Sequence, residues 1–531
     1  TYNPPLMIVM NKFCCRLCHN FIAATTTLYF LFINNAQPTV SMVMDQSSST
    51  MNAAIPKPRI AIVGGGAAGL AALRAVTQQF DGRTNADIDK EISITLFEAD
   101  SKQVGGIWRH REGSKTQPMY KGLRTNLPKE VMQYREFPWT EPREASFLTH
   151  DKVASYLEQY AEKFDLFRYI KFGSKVQQMT LLHSDDQASA LSPTSELWPK
   201  IRLDWQTSNH DTGDQKETNS SSSDVFDAVY ICNGHYAAPS IPPIHDLHFF
   251  KGKTMHSVAY DDPKEFSGQS VLCIGGRASG SDLAREISFY AKHVFLSDST
   301  CTTPVESSDD SRTTADLTLL PKTLGIRPDG SIEIEGFKDL QPMVDTIIFC
   351  SGYDYSFPFI NNKSNLDLTA AAGERRVSPL YHQLWHAEYP NIAFVGLPHS
   401  VVPFPLMELQ SAATWAQWNP IKFSLPMRID RLKASSSDAQ SGGAKMNGRI
   451  QDTHYLGDKQ WDYCRQMAKL AGIYDDEMEA YISLNKDIYD CAGRARKNIL
   501  PGGPDTYRNL VFRRDQVNGS FDVSVPEDVA S

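Results

Sequence analysis

Apolar residues fall in short runs at widely separated places along the chain, and their spacing predicts alternating strands and helices. Pro58-Arg-Ile-Ala-Ile-Val-Gly64 is a β-branched run closed by glycine. A continuous apolar run of that length predicts a buried strand in a parallel sheet. Ala67 to Thr77 has helix-forming composition. Ile92 to Ala99 (ISITLFEA) predicts a second strand, and the polar stretch Asp81 to Glu91 lengthens the link before it. The same order returns later. Ser270 to Ile274 predicts a strand, Gly275 to Gly280 a glycine-rich turn, Asp282 to Ala291 a helix and His293 to Leu296 the next strand. No solenoid period is present; one strand–turn–helix unit occurs twice in one chain.

Polar punctuation separates these units. Residues 43–55 read as a linker, so folded structure is expected to begin near Lys57. Ser208 to Asp224 and Ala434 to Gly448 are rich in Ser, Gly and Asp and read as surface insertions with too little apolar surface to order themselves. Near the start, Lys12 and Arg16 precede an apolar run, Phe21 to Ile33, with a cleavage-like site near Ala36. That layout reads as a signal or anchor segment over 12–36, which implies the secretory pathway or endoplasmic reticulum. The run is short and Thr-rich for a span of about 20 apolar residues. Translation from Met42, Met44 or Met51 would give a cytoplasmic protein without a leader. Both readings stay open.

Composition narrows the class. The chain has 531 residues, 41% hydrophobic and 22% charged, which is globular and long enough for two or three domains. A net charge of -9 gives no electrostatic reason to expect nucleic acid. The nine cysteines form no framework, which favours free, reduced thiols in the globular part. Cys15-x-x-Cys18 lacks a matching Cys/His pair nearby, and no metal site is expected.

The glycines carry the first chemistry. Gly64-x-Gly66-x-x-Gly69 follows a strand and opens a helix, the context a dinucleotide fingerprint requires. Gly64 allows the tight turn, Gly66 lets a pyrophosphate approach the backbone, and Gly69 lets helix pack on strand. The amides at the helix start, around Ala67 and Ala68, are then available to phosphate. Glu98 ends the second strand, placed to accept from a ribose hydroxyl; the polar insertion explains its 34-residue separation from Gly64. The second unit, Gly275-Gly276-Arg277-Ala278-Ser279-Gly280, has Arg277 where the second glycine is expected. Arg277 either contacts a phosphate or points to solvent. Asp298 lies 23 residues after Gly275, where an acid binds the 2′-hydroxyl of NAD and discourages the 2′-phosphate of NADP.

Further segments resemble flavin-containing monooxygenases. Gly105-Gly106-Ile107-Trp108-Arg109 resembles the segment lining the flavin, and Leu123-Arg-Thr-Asn-Leu-Pro-Lys129 with Phe137-Pro-Trp139 is similar to the family's TNLPK region. Phe250-x-Gly252-x-x-x-His256-x-x-x-Tyr260 matches the family fingerprint; His256 is expected to hold the interdomain linker rather than to act as acid or base. Tyr230-Ile-Cys-Asn-Gly-His235 and Ile347-Ile-Phe-Cys-Ser-Gly-Tyr353 resemble the crossings between domains. Gly396-Leu-Pro398, Pro403-Phe-Pro-Leu-Met-Glu-Leu-Gln410 and Gln460-Trp-Asp-Tyr463 resemble the late FAD-domain region. The wording is most similar to plant-type S-oxygenating members.

The resemblance implies an α/β fold with two doubly wound Rossmann-like domains, the NADP domain inserted in a split FAD domain. It gives a leader and linker over 1–55, the FAD domain over 56–243 and 339–515, the NADP domain over 244–338, and a tail over 516–531. It implies that Gly64, Gly66, Ala67, Ala68, Gly69, Glu98, Gly106, Trp108, Arg109, Thr125, Asn126 and Gln410 hold FAD. Gly275, Arg277, Ala278, Ser279, Gly280 and Asp298 would hold NADP, with NADH open because of Asp298. In the implied cycle, NADPH reduces FAD, the reduced flavin captures O₂ as a C4a-hydroperoxide, and a small soft nucleophile, sulfur or nitrogen, takes the distal oxygen. Asn126 is the candidate catalytic residue, hydrogen-bonding to flavin, nicotinamide or peroxide. A homodimer and membrane association stay open. Three rivals exist: a Baeyer–Villiger enzyme acting on ketones, a disulfide reductase, which needs a cysteine pair absent after Met51, and a non-enzymatic nucleotide binder.

Overall fold

The computed structural model describes residues 57–140, 145–183, 198–209, 218–307, 316–368, 375–418, 425–441, 452–497, 505–515 and 519–525. The leader over 1–55, with Cys14, Cys15 and Cys18, lies outside the described residues. No helix among the described residues is long and apolar enough to cross a membrane.

Two sheets organise the chain. In the first, Arg59–Val63 lies centrally, flanked in parallel by Ser93–Phe97 and Ala228–Ile231. Ile170–Lys171 extends one side; Ile392–Phe394 extends the other, followed by two short antiparallel strands. In the second, Ser270–Ile274 is flanked in parallel by His293–Ser297 and Thr346–Phe349. Asp316–Leu320 and Lys253–His256 continue it in parallel, and Val305–Ser307 closes one edge antiparallel. The second sheet lies, in sequence, between two parts of the first, as expected of an inserted domain.

Strand alternation separates the faces. Ile60 and Ile62 pack with helices Ala67–Thr77 and Pro403–Trp418, whereas Ala61 and Val63 face a three-stranded antiparallel meander. The meander consists of Ser174–Leu182, Lys200–Asn209 and Thr218–Phe226. The second sheet repeats the plan. Val271 and Cys273 face helix Ala278–Ile287, and Leu272 faces the hairpin Thr323–Ile326 with Ile332–Ile334. Both domains are three-layered, with helices on one face and antiparallel strands on the other.

Several boundaries need correction. Thr346–Phe349 pairs with Ser270–Ile274, so the second domain extends past residue 338 and its return crossing begins at Cys350. The 516–531 tail is not separate: Ser520–Ser524 forms a hairpin with Val511–Asp515. Neither insertion is wholly irregular. Thr218–Phe226 is an edge strand whose serines 220–223 are exposed while Phe226 is buried. Backbone pairing with Lys200–Asn209 orders it without apolar side chains on its outer half. Residues 434–441 continue helix Arg428–Ser441; residues 210–217 and 442–448 lie outside the described residues. The predicted Asp282–Ala291 helix starts earlier, at Ala278, directly on the glycine turn.

Candidate active site

The two glycine turns have one geometry. Gly64 has φ +103° and Gly275 φ +113°, a region that favours glycine. A Cβ on Gly64 would lie 2.6 Å from the Cys232 carbonyl oxygen, and one on Gly275 2.6 Å from that of Cys350. A Cβ on Gly69 would lie 1.8 Å from the Gly64 carbonyl oxygen, and one on Gly280 1.7 Å from that of Gly275. Both helices therefore start in contact with the strand before them. Gly66 and Arg277 occupy the same N-cap position with nearly the same extended backbone, φ -78° and -75°. Arg277 thus strains nothing; it occupies space that Gly66 leaves bare, and its side chain is exposed. Neither helix has a side-chain cap or an acid in its first turn. The amides at Ala67, Ala68 and Gly69, and at Ala278, Ser279 and Gly280, thus face no side-chain competitor, which fits a pyrophosphate at each turn.

In the first unit the Gly105-Gly106 turn closes over the cradle. The Gly105 amide donates to the Gly65 carbonyl at 3.0 Å, and a Cβ on Gly66 would lie 3.5 Å from the Gly106 Cα. Arg109 locks this turn through the Val104 carbonyl and Glu158, both at 2.8 Å. Trp108 packs half-buried against the core. Glu98 accepts from the amides of Gly65 and Asp100 at 2.6 and 2.7 Å. Burial pushes its carboxyl pKa up, against those two amides. Asp298 sits at the matching strand end, beside Gly276.

Asn126 lies on a loop that joins the two units. At one end of the loop, the Tyr134 hydroxyl donates to the carbonyl of Ala67, the first helix residue of the first unit, at 2.6 Å. At the other, the Thr125 carbonyl accepts from Arg508 Nε at 2.8 Å. Arg508 grips Asp282, two residues past Gly280, through both guanidinium arms at 3.1 and 2.8 Å. Thr125 is buried and its hydroxyl accepts from the Leu148 amide, so its polar groups serve the loop. The Asn126 amide is partly exposed and has no hydrogen-bond partner among the described residues.

Two expected residues act indirectly, and one residue was missed. Gln410 is 0% exposed; it accepts from the Gly396 amide at 2.9 Å and donates to Tyr463 at 2.8 Å. Through these bonds it shapes the Gly396 turn. His256 links the domains: Nδ1 accepts from the Val258 amide, which leaves Nε2 to donate to the Gly352 carbonyl at 3.0 Å. Sequence reasoning missed Arg508, 1% exposed, whose partners Thr125 and Asp282 are 383 and 226 residues away.

The two crossings pair with each other, Tyr353 with Pro239 and Asp354 with Ala238. Two dinucleotide cradles at the carboxyl ends of two parallel sheets, spanned by one loop, define a two-nucleotide oxidoreductase. Comparison with known proteins completes the assignment. Residues 57–323 match the family described as flavin-binding monooxygenase-like. The chain is 30% identical over 478 residues, 85% of this chain and 93% of the relative, to flavin-containing monooxygenase FMO GS-OX-like 4 of Arabidopsis thaliana. It superposes with TM-score 0.69 and 26% identity on S-allyl-L-cysteine S-oxygenase from Allium sativum, covering 87% of this chain and 97% of that one. Tmm from a Pelagibacter strain shares the fold at TM-score 0.65 and 19% identity, over 88% and 96% of the two chains. The chain belongs to the flavin-binding monooxygenase-like family. It is an FAD- and NADPH-dependent monooxygenase that acts with O₂ on a small molecule.

Proposed function

We propose that the oxygen acceptor is the soft sulfur of a thioether. One observation carries this reading: the likeness to the Allium S-oxygenase extends over nearly all of that chain. FAD, when bound, supplies the chemistry that no side chain has, accepting hydride and activating O₂. The chain's own residues hold and shield the reacting atoms. The first cradle fixes one dinucleotide, the second the other, and the 125–134 loop sets the spacing between them. Asn126, whose amide has no hydrogen-bond partner among the described residues, would donate a hydrogen bond where negative charge develops. A sulfur acceptor needs little acid–base help, which agrees with a site built from amides and glycines rather than a triad.

The test is product analysis on flavin-loaded enzyme with NADPH and ¹⁸O₂, offering a thioether, a tertiary amine and a ketone. Labelled sulfoxide as the main product is expected; a lactone or ester from the ketone would instead show Baeyer–Villiger chemistry, and an N-oxide as main product would reassign the acceptor. Asn126→Ala is expected to lower oxygenated product per NADPH by about tenfold or more, while NADPH-dependent flavin reduction stays within about twofold of the wild-type rate.

A further inference from the structure

The acid closing the second unit stands where dinucleotides can be told apart. Asp298 follows His293–Ser297, and its backbone amide is anchored on the Leu320 carbonyl at 2.9 Å. Oδ1 is engaged, accepting from the Thr300 amide at 2.8 Å and the Thr300 hydroxyl at 3.0 Å. Oδ2 has no protein partner among the described residues. It lies over the glycine turn: a Cβ on Gly276 would be 2.0 Å from it.

The first unit shows what this position does. Glu98 Oε2 reaches the same place, 2.7 Å from a Cβ on Gly65, but there it is bonded to the Gly65 amide. Asp298 has a shorter side chain, and no hydrogen bond joins it to the Gly276 amide, so one carboxylate oxygen remains for a ligand. An acceptor at a strand end beside a dinucleotide turn faces the adenosine ribose. A ribose 2′-hydroxyl donates to it; a 2′-phosphate brings like charge against it. No Lys or Arg is paired with Asp298 among the described residues to offset that charge. Arg277 stands at the helix N-cap, where the pyrophosphate is held, and a charge there serves both dinucleotides alike.

We propose that Asp298 reads the ribose 2′-hydroxyl and that the second cradle binds the NAD form at least as tightly as the NADP form, so that NADH serves as a reductant beside NADPH. The inference rests on the reading of the second unit as the nicotinamide-dinucleotide site. It is tested by calorimetric titration of the flavin-loaded full chain with NAD⁺ and with NADP⁺. NAD⁺ is expected to bind at least as tightly as NADP⁺. Asp298→Ser and Asp298→Asn are each expected to shift the ratio of the two dissociation constants tenfold or more toward NADP⁺. Arg277→Ala is expected to weaken both ligands by the same factor. Tighter binding of NADP⁺ by the unaltered chain overturns the proposal without any variant having to fold. So does a ratio that neither Asp298 variant moves, or a loss confined to NADP⁺ in Arg277→Ala. If neither dinucleotide binds although flavin is retained, the cradle reading itself fails, and this is separable from a wrong preference at an intact site.

Discussion

The two dinucleotide units of this chain share a backbone and differ in what surrounds it. In the first, the glycine turn is enclosed: Gly105 is bonded to Gly65, Gly106 lies against Gly66, and Glu98 spends both oxygens on backbone amides. In the second, Arg277 projects outward from the turn and Asp298 keeps one oxygen unused. The first arrangement suits a resident cofactor that seldom leaves. The second suits a ligand that exchanges in each catalytic cycle. The difference lies in the side chains packed around the turns, since the turns themselves have nearly the same φ angles.

The largest effect should come from the third glycine of each turn, because a methyl group there overlaps a backbone oxygen. Gly69→Ala is expected to leave the purified chain with at least about tenfold less flavin, read from flavin absorbance per mole of protein. Gly280→Ala should keep its flavin, with NADPH-driven reduction in stopped flow slowed about 100-fold. Loss of flavin from both variants would mean that the units are not independent.

Arg508 comes next, since it holds the acid on the helix of the second unit. Burial acts to raise the Asp282 carboxyl pKa, but the Arg508 bonds outweigh it and hold the carboxyl below its usual range. Arg508→Ala leaves that acid buried, with Arg285 as its remaining partner. The expected cost is about 3–5 kcal/mol in denaturant unfolding, and Asp282→Asn in the same chain should recover part of it.

Two partly buried acids then compare the units directly. Burial pushes the pKa of Glu408, beside the first unit, and of Glu286, on the helix of the second, up to about 7. A raised folded-state value means that the fold binds the proton more tightly than the unfolded chain does. The associated stability is full below the ordinary carboxylate value of about 4.3 and is lost as the pH rises through 7. Glutamine does not titrate. Glu408→Gln and Glu286→Gln should therefore each gain about 1–3 kcal/mol over the parent at pH 8 and little at pH 4, measured by thermal unfolding at both pH values. A gain that persists at pH 4 would assign the effect to packing instead.

The smallest effect is expected at Arg277. Its N-cap backbone is extended and strain-free, so Arg277→Gly should change unfolding free energy by less than about 1 kcal/mol.

Most of the site could be read from sequence because its determinants are local. Within each unit the turn, its helix and the acid at the strand end lie within 34 residues of one another, and Gly69 and Gly280 are required by contacts made inside their own turns. What escaped was non-local or lacked a hydropathy signal. Nothing in Arg508 itself points to Asp282, because the contact depends on how the last described segment folds back. Ser220–Ser223 look like linker because an edge strand needs only backbone partners, which composition does not register. Gln410 was recognised as part of the site, but its role follows from complete burial, which sequence does not display. Thr346–Phe349 was read as part of a crossing within 339–515 because a crossing and the strand before it share one apolar run.

The paired crossings have a consequence for how such a protein can be altered. The second domain leaves the first near Ala238-Pro239 and returns at Tyr353-Asp354, and these two segments are hydrogen-bonded neighbours. Entry and exit at a single place make the insert a cassette. A foreign dinucleotide module whose own ends lie side by side could be spliced there without reordering any strand of the host sheet. Arg508, which grips the insert from outside and is itself held by the 125–134 loop, would then be the contact that has to be redesigned.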